Sequence, residues 1–85
     1  MEWLVKKTLY LEKSTRQFLV LWDSGGSLKM IAEVLSVRLL QVGDVLSPMP
    51  DALYCINRDR SWTVKMISAG YYCRTEWERL AACDE

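Results

Sequence analysis

The chain has 85 residues, of which 51% are hydrophobic and 26% charged, proportions typical of a folded globular protein and not of a disordered tail. Eleven basic residues balance eleven acidic ones, so the chain lacks the basic excess that is common among dedicated nucleic-acid binders. No segment approaches the roughly 20 apolar residues of a membrane span, and we expect one domain over residues 1–85 with no membrane contact.

The N-terminal quarter predicts a β-hairpin over about residues 3–22. Trp3–Leu11 and Gln17–Trp22 are rich in aromatic and β-branched residues, which favour strands. The short polar stretch 13–16 between them suits a tight antiparallel connection. The run 23–26, Asp-Ser-Gly-Gly, then ends the strand pattern.

The next segment predicts a central helix over about residues 28–41. Its apolar residues recur at helical spacing, at Leu28, Ile31, Ala32, Leu35 and Leu39. Ser27 stands where its hydroxyl would cap the first turn. The alternative is a strand through 34–40, because Val34 and Val37 tolerate either state, and it would convert the fold into a small β-barrel.

The second half predicts another hairpin and a short helix. Residues 45–46 favour a short strand and 47–51 a loop with two prolines, and the runs 53–57 and 62–67 then form a hairpin over about 53–67. Thr75 and Glu78 have the spacing of a capping box, so a helix is expected over about 76–82. The prediction is an α+β fold with two hairpins and two helices.

Residues 27–47 resemble the helix-turn-helix segment of small DNA-binding regulators. Ile31 and Ala32 match core positions of the first helix, and Val42 and Val45 match the second. The resemblance implies nucleic-acid contact through Lys29, Arg38 and Gln41. Against it, Ser36 stands where the turn commonly has glycine, and Glu33 and Asp44 offset the two basic residues. A buried helix ending near Gln41 is therefore the preferred interpretation.

Catalytic chemistry finds little support in the residue types present. The chain has no histidine, which excludes Ser-His-Asp and Cys-His arrangements. Cys55, Cys73 and Cys83 lack metal-ligand spacing and are odd in number, which suits reduced thiols in a cytoplasm. We therefore expect a cytoplasmic protein that is not an enzyme and holds no metal or cofactor.

One stretch of the second half has the composition of a binding surface. Trp, Tyr and Arg are the residues most enriched in protein-binding hot spots, and they are dense over residues 54–74. The same residue types also provide a stacking surface for single-stranded nucleic acid. The candidate partner-binding residues are Tyr54, Arg58, Arg60, Trp62, Tyr71, Tyr72 and Arg74.

These observations favour a non-enzymatic module that binds a larger protein, of the type of phage- or plasmid-encoded inhibitors of host machinery. The alternative is a small nucleic-acid-binding regulator, which would use segment 27–47 or the patch over 54–74. A homodimer is a third candidate, because both strands of the first hairpin are apolar on their two faces.

Overall fold

The computed structural model describes residues 2–82, so Cys83 lies outside the described part. This part of the chain forms six strands followed by one helix: β1 (Trp3–Leu11), β2 (Arg16–Asp23), β3 (Lys29–Ser36), β4 (Val45–Pro48), β5 (Leu53–Ile56), β6 (Asp59–Tyr71) and α1 (Arg74–Ala81). Neighbouring strands are antiparallel and close into a barrel in the order β1-β2-β3-β6-β5-β4. Within residues 2–82, no helix has the length and apolar character needed to span a membrane.

The predicted α+β fold with a central helix is therefore wrong, and the alternative of a small β-barrel is the one observed. Residues 28–41 form strand β3 and part of the following loop. Ala32 and Val34 face the barrel interior, while Ile31 packs in the layer outside it. Because apolar residues are buried on both faces of the strand, simple alternation disappears and the spacing imitates a helix.

The barrel interior is filled by apolar side chains from all six strands. Val5, Leu19, Leu21, Leu46 and Ile56 are fully buried in this core. The remaining buried members are Trp3, Ala32, Val34, Leu40 and Val64.

Helix α1 covers the outer face of the first hairpin. Trp77 of the helix packs with Leu11, Phe18 and Val20 in a second apolar cluster, in which all four side chains are at most 8% exposed. One face of the hairpin therefore packs into the barrel and the other beneath the helix. Both apolar faces of the hairpin are thus buried within a single chain. These two faces, on which the expectation of a homodimer was based, therefore no longer favour one.

Both predicted hairpins are present, but the second one differs in detail. Its turn consists of Asn57 and Arg58, both with positive φ (52° and 62°), so β6 begins at Asp59 inside the stretch expected to be the loop. Helix α1 begins at Arg74 and not near residue 76. Its N-cap is Cys73, and no side chain caps it, so the predicted capping box is not formed.

Candidate protein-binding surface

The loop of residues 37–44, between β3 and β4, is held against the barrel by a buried glutamine. Gln17 on β2 is 4% exposed, and its Nε2 donates to the carbonyl oxygen of Leu40 at 3.0 Å. The Leu40 N–H donates back to Gln17 Oε1 at 3.2 Å. Leu40 is itself 2% exposed and belongs to the interior cluster. The middle of the loop is thus fixed by two hydrogen bonds and one buried side chain.

The far end of the loop is hydrogen-bonded to strand β1 and to the turn between β5 and β6. Gly43 donates from its N–H to the carbonyl of Val5 at 2.9 Å, and Val5 donates to the carbonyl of Asp44 at 2.9 Å. Gly43 has φ of 100°, a conformation that glycine adopts without a steric penalty. The Asp44 carboxylate accepts from the Gln41 N–H at 2.8 Å and from Asn57 Nδ2 at 3.1 Å. The loop is therefore a defined structure and not a slack connection.

This fixed loop carries an unusual set of exposed apolar side chains. Val37 is 91% exposed and Val42 64%. Leu39 and the last apolar residue of β3, Leu35, are each more than half exposed. Four aliphatic side chains facing solvent on one short segment are typical of a contact surface. We name Leu35, Val37, Leu39 and Val42 the loop surface.

Beside the loop surface, an arginine lies on a tryptophan. The Arg38 guanidinium is 4.0 Å from the centroid of the Trp62 ring, a cation–π contact. The Trp62 Nε1–H donates to Ser36 Oγ at 3.0 Å, and the Arg38 N–H donates to the same oxygen at 3.3 Å. Trp and Arg thus lie next to exposed aliphatic residues, which is the composition of a hot spot.

Two carboxylates near this end of the barrel have lowered pKa values. The pKa of Asp59 lies below its ordinary value mainly because the Ser61 hydroxyl and N–H donate to it, with a smaller contribution from the charge of Arg38. The pKa of Glu2 is lowered first by the hydrogen bond from Ser47, at 2.6 Å, and also by Arg58. Both carboxylates therefore stay ionised at neutral pH and take part in local hydrogen bonds.

Four of the sequence-predicted binding residues lie at this end of β5 and β6. Arg58 is in the two-residue turn, with its Nε 3.5 Å from Glu2 Oε2, and Arg60 is exposed on β6. Trp62 and Tyr54 are half-buried and pack against the barrel core. Asn57 of the same turn is hydrogen-bonded to Asp44, so this group adjoins the loop.

The other three predicted residues lie at the opposite end of β6. Tyr71 is 87% exposed at its last position. Tyr72 is half-buried beneath the helix, and its N–H donates to the Lys29 carbonyl at 2.9 Å. Arg74 forms an i,i+4 ion pair with Glu78 at 2.9 Å. The structure thus divides the predicted patch into two separate groups.

The residues expected to contact nucleic acid are also separated. Lys29 begins β3, whereas Arg38 and Gln41 lie in the loop beyond its other end. Because residues 27–47 contain a strand, a loop and another strand, the helix-turn-helix resemblance is wrong.

Reasoning from the sequence missed the exposure of the loop surface. The apolar spacing predicts that Val37, Leu39 and Val42 belong to a buried helix or its continuation, whereas all three are exposed. Two features of the sequence argued against a helix here. Gly43 and Asp44 end the segment, and the β-branched Val34 and Val37 favour an extended backbone. The exposure itself depends on how the barrel closes around Leu40, and periodicity does not report that.

The fold and this surface define a small closed antiparallel β-barrel that presents a fixed apolar loop. Within residues 2–82, no group of three or more Cys, Asp and Glu is placed to hold a metal ion. Residues 1–78 match the profile of the IraM/PmrD family, and the chain belongs to that family.

Two relatives and two solved structures support the assignment. The signal transduction protein PmrD of Salmonella typhimurium is 58% identical over 80 residues, 94% of each chain, and that of Escherichia coli K12 is 54% identical over 79 residues, 93% of this chain and 90% of the relative. The crystal structure of E. coli PmrD matches with a TM-score of 0.90 at 53% identity, covering 95% of each chain. The solution NMR structure of PmrD from Klebsiella pneumoniae matches with a TM-score of 0.78 at 38% identity, covering 93% of this chain and 96% of that one.

These relatives correct the functional prediction. They are signal transduction proteins of bacteria, so the interpretation as a phage- or plasmid-type inhibitor is wrong. The alternative of a nucleic-acid-binding regulator is wrong for the same reason.

Proposed function

We propose that this chain is a non-enzymatic signal transduction protein that acts in the cytoplasm by binding a larger protein through the loop surface. The names of the Salmonella and E. coli relatives support the signalling role. Cys55 and Cys73 are free thiols, which suits a reducing compartment.

The observation that carries the proposed surface is the contrast between its exposure and its rigidity. Val37 and Leu39 face solvent, while the backbone that follows them is fixed at Leu40 by Gln17 and at Gln41 by the Asp44 carboxylate. A loop already held in one conformation loses little conformational entropy on binding. The free energy gained by burying its aliphatic side chains is therefore not spent on ordering the loop and adds to the affinity. Arg58, Arg60 and Trp62 remain part of the proposed contact as its polar and aromatic rim.

The test is a comparative capture from a Salmonella typhimurium lysate treated with nuclease. The wild-type chain is compared with Val37→Ser/Leu39→Ser and with a control, Ile67→Ser/Tyr71→Ser, which removes two exposed apolar side chains from β6. We expect one stoichiometric protein to bind the wild type and the control at high salt. Its affinity for the loop variant should fall at least about tenfold, since burying each aliphatic side chain contributes about 1.5–3 kcal/mol.

Equal capture by the loop variant and the wild type would overturn the proposed surface. A second comparison, Arg58→Ala/Arg60→Ala, tests the rim. It should reduce the affinity less than the loop variant does, because exposed charges at an interface edge contribute little.

A further inference from the structure

A β-bulge in β1 places two consecutive lysines on the same face of the barrel. The β1–β2 register shifts between Val5 and Lys7, so that Lys6 has no paired residue on β2. Val5 is fully buried in the interior, Lys6 and Lys7 are both exposed, and Leu9 packs in the outer cluster. In a regular strand Lys6 and Lys7 would point to opposite faces. The bulge therefore turns both lysines outward, an arrangement that bulges commonly produce at functional positions.

One of these lysines, Lys6, and a third lysine, Lys29, lie over an outward-facing tryptophan. Trp22 is on β2, and Lys6 Nζ on the adjacent β1 lies 4.5 Å from its ring centroid. Lys29 Nζ, on the other neighbouring strand β3, also lies 4.5 Å from the centroid. With Lys7, Val20 and Tyr72 these residues line one shallow depression. We name Lys6, Lys7, Lys29 and Trp22 the lysine face.

Among residues 2–82, the lysines of the lysine face form no ion pair with a carboxylate. All four ion pairs formed within residues 2–82 join an arginine to a glutamate, and none uses a lysine. Asp23, the residue after Trp22, accepts from the Leu28 N–H and the Ser27 hydroxyl, both at 3.1 Å, and is thus engaged in its own turn. Three like charges lie close together in a chain of zero net charge, and none of them pairs with a carboxylate in the described part of the chain; this indicates a surface complementary to an anion.

We propose that the lysine face binds an acidic segment of a protein partner, a short run of Asp or Glu residues that includes one apolar side chain. The lysines would pair with the carboxylates, and the apolar side chain would lie in the depression against Val20, Trp22 and Tyr72. Lysine lacks the planar guanidinium group with which arginine binds phosphate in a bidentate manner. The apolar base of the depression can bury an apolar side chain, so the surface suits a protein segment better than a phosphate group. This second contact goes beyond the proposed function and rests on it only in taking the partner to be a protein.

The test uses a capped pentapeptide with four glutamates around a central leucine, titrated into ¹⁵N-labelled protein. We expect the Trp22 indole signal and the amides of Lys6, Lys7 and Lys29 to shift. The shifts should weaken as salt screens the charges. The same peptide with glutamines in place of the glutamates should bind at least about tenfold more weakly.

The chain offers a matched pair of variants for this titration. Lys6→Gln/Lys29→Gln and Lys13→Gln/Lys65→Gln each remove two exposed positive charges, but only the first pair touches the lysine face. The first variant should bind the glutamate peptide about tenfold more weakly, at roughly 0.7 kcal/mol for each exposed charge. The second should bind it like the wild type.

Three results would overturn the proposal. They are equal affinity in the two variants, equal binding of the glutamine peptide, and an oligonucleotide of equal charge that binds the same residues as tightly as the glutamate peptide does. The Val37→Ser/Leu39→Ser variant should bind the peptide normally. If the peptide does not bind but capture of the partner still depends on the loop, only the proposal for the lysine face is wrong. If the peptide binds but capture does not depend on the loop, only the proposal for the loop surface is wrong.

Discussion

The side-chain amide of Gln17 pairs with the backbone of Leu40 in both directions, accepting from its N–H and donating to its carbonyl, across 23 positions of sequence. Both residues are buried. One side chain thus satisfies two backbone groups of a loop that has no strand to pair with. This single contact links the stability of the barrel to the shape of the loop surface.

Replacement of Gln17 by methionine should therefore destabilise the protein. Methionine fills a similar volume but leaves both Leu40 backbone groups unpaired in a buried position, which costs about 1–3 kcal/mol for each group. We expect the free energy of unfolding to fall by about 2–6 kcal/mol in urea titrations. The exposed Gln41→Met is the control and should unfold like the wild type. Equal midpoints for the two variants would show that the buried amide contributes nothing.

The same substitution to alanine should have a large effect on stability at Leu40 and almost none at the adjacent Leu39. Leu40→Ala removes a buried side chain from the core and should cost about 2–5 kcal/mol. Leu39 is 51% exposed, so Leu39→Ala should change stability by no more than about 0.5 kcal/mol. Thermal unfolding followed by circular dichroism distinguishes them. A large loss in the Leu39 variant would mean that this side chain is packed and not available to a partner.

Arg58→Gly should stabilise the chain by about 0.5 kcal/mol. Asn57 and Arg58 both have positive φ, as a type I′ turn requires, and glycine favours the second position. The left-handed conformation costs a residue with a side chain roughly 1–2 kcal/mol, and glycine removes this cost. Part of the gain is lost because glycine has a greater conformational entropy in the unfolded state. The lost ion pair with Glu2 is exposed and contributes little.

The control for this turn is Arg60→Gly. Arg60 lies inside β6 and has no positive φ, so glycine there should lower the urea midpoint. If both glycine variants lower the midpoint, the turn conformation does not strain Arg58.

The carboxylate of Asp23 should make stability depend on pH. Its pKa lies below the ordinary value mainly because the Leu28 N–H donates to it, assisted by Ser27 and opposed by partial desolvation. A carboxyl whose pKa is lower in the folded state contributes stability above its unfolded pKa, about 3.9, and loses it as the pH falls through the folded value. Asp23→Asn should therefore be less stable than the wild type near neutrality, and the difference should vanish in acid.

The measurement is the urea midpoint of each of the two proteins, taken at intervals of about one pH unit between roughly pH 2 and pH 7. Asp51→Asn, at an exposed position with no hydrogen bond to its side chain among those found in the described residues, is the control. A difference between wild type and Asp23→Asn that stays constant down to the lowest pH would show that the charge is not responsible.

The sequence predicted the first hairpin because a Gly-Gly break follows it and its strands are rich in β-branched and aromatic residues. It failed at residues 28–41, where Leu28, Ile31, Ala32, Leu35 and Leu39 satisfy a helical period by coincidence. Leu28, Leu35 and Leu39 are in fact exposed, while Ile31 and Ala32 are covered from opposite sides. Which side is covered follows from barrel closure and from the position of α1, both of which depend on residues distant in sequence.

The candidate surfaces show the same limit. Composition predicted a binding role for Arg58, Arg60 and Trp62, which lie around the start of β6, and it grouped Tyr71 and Arg74 with them only because they are near in sequence. The length of β6 separates them, since an extended strand advances about 3.3 Å for each residue. The lysine face was not found at all, because a β-bulge leaves no clear mark in a single sequence.

The barrel closes along a narrow seam. Strands β1 and β4 meet through two residue pairs, Trp3 with Leu46 and Leu4 with Val45, whereas β1 and β2 share eight. The two backbone hydrogen bonds between Val5 and residues 43–44 extend this seam into the loop. Local opening should therefore begin here, at a free energy below that of global unfolding. A partner bound to the loop would also stabilise the pairing of β1 with β4. Amide hydrogen exchange at Val5 and Val45 would therefore be slower in the complex than in the free protein.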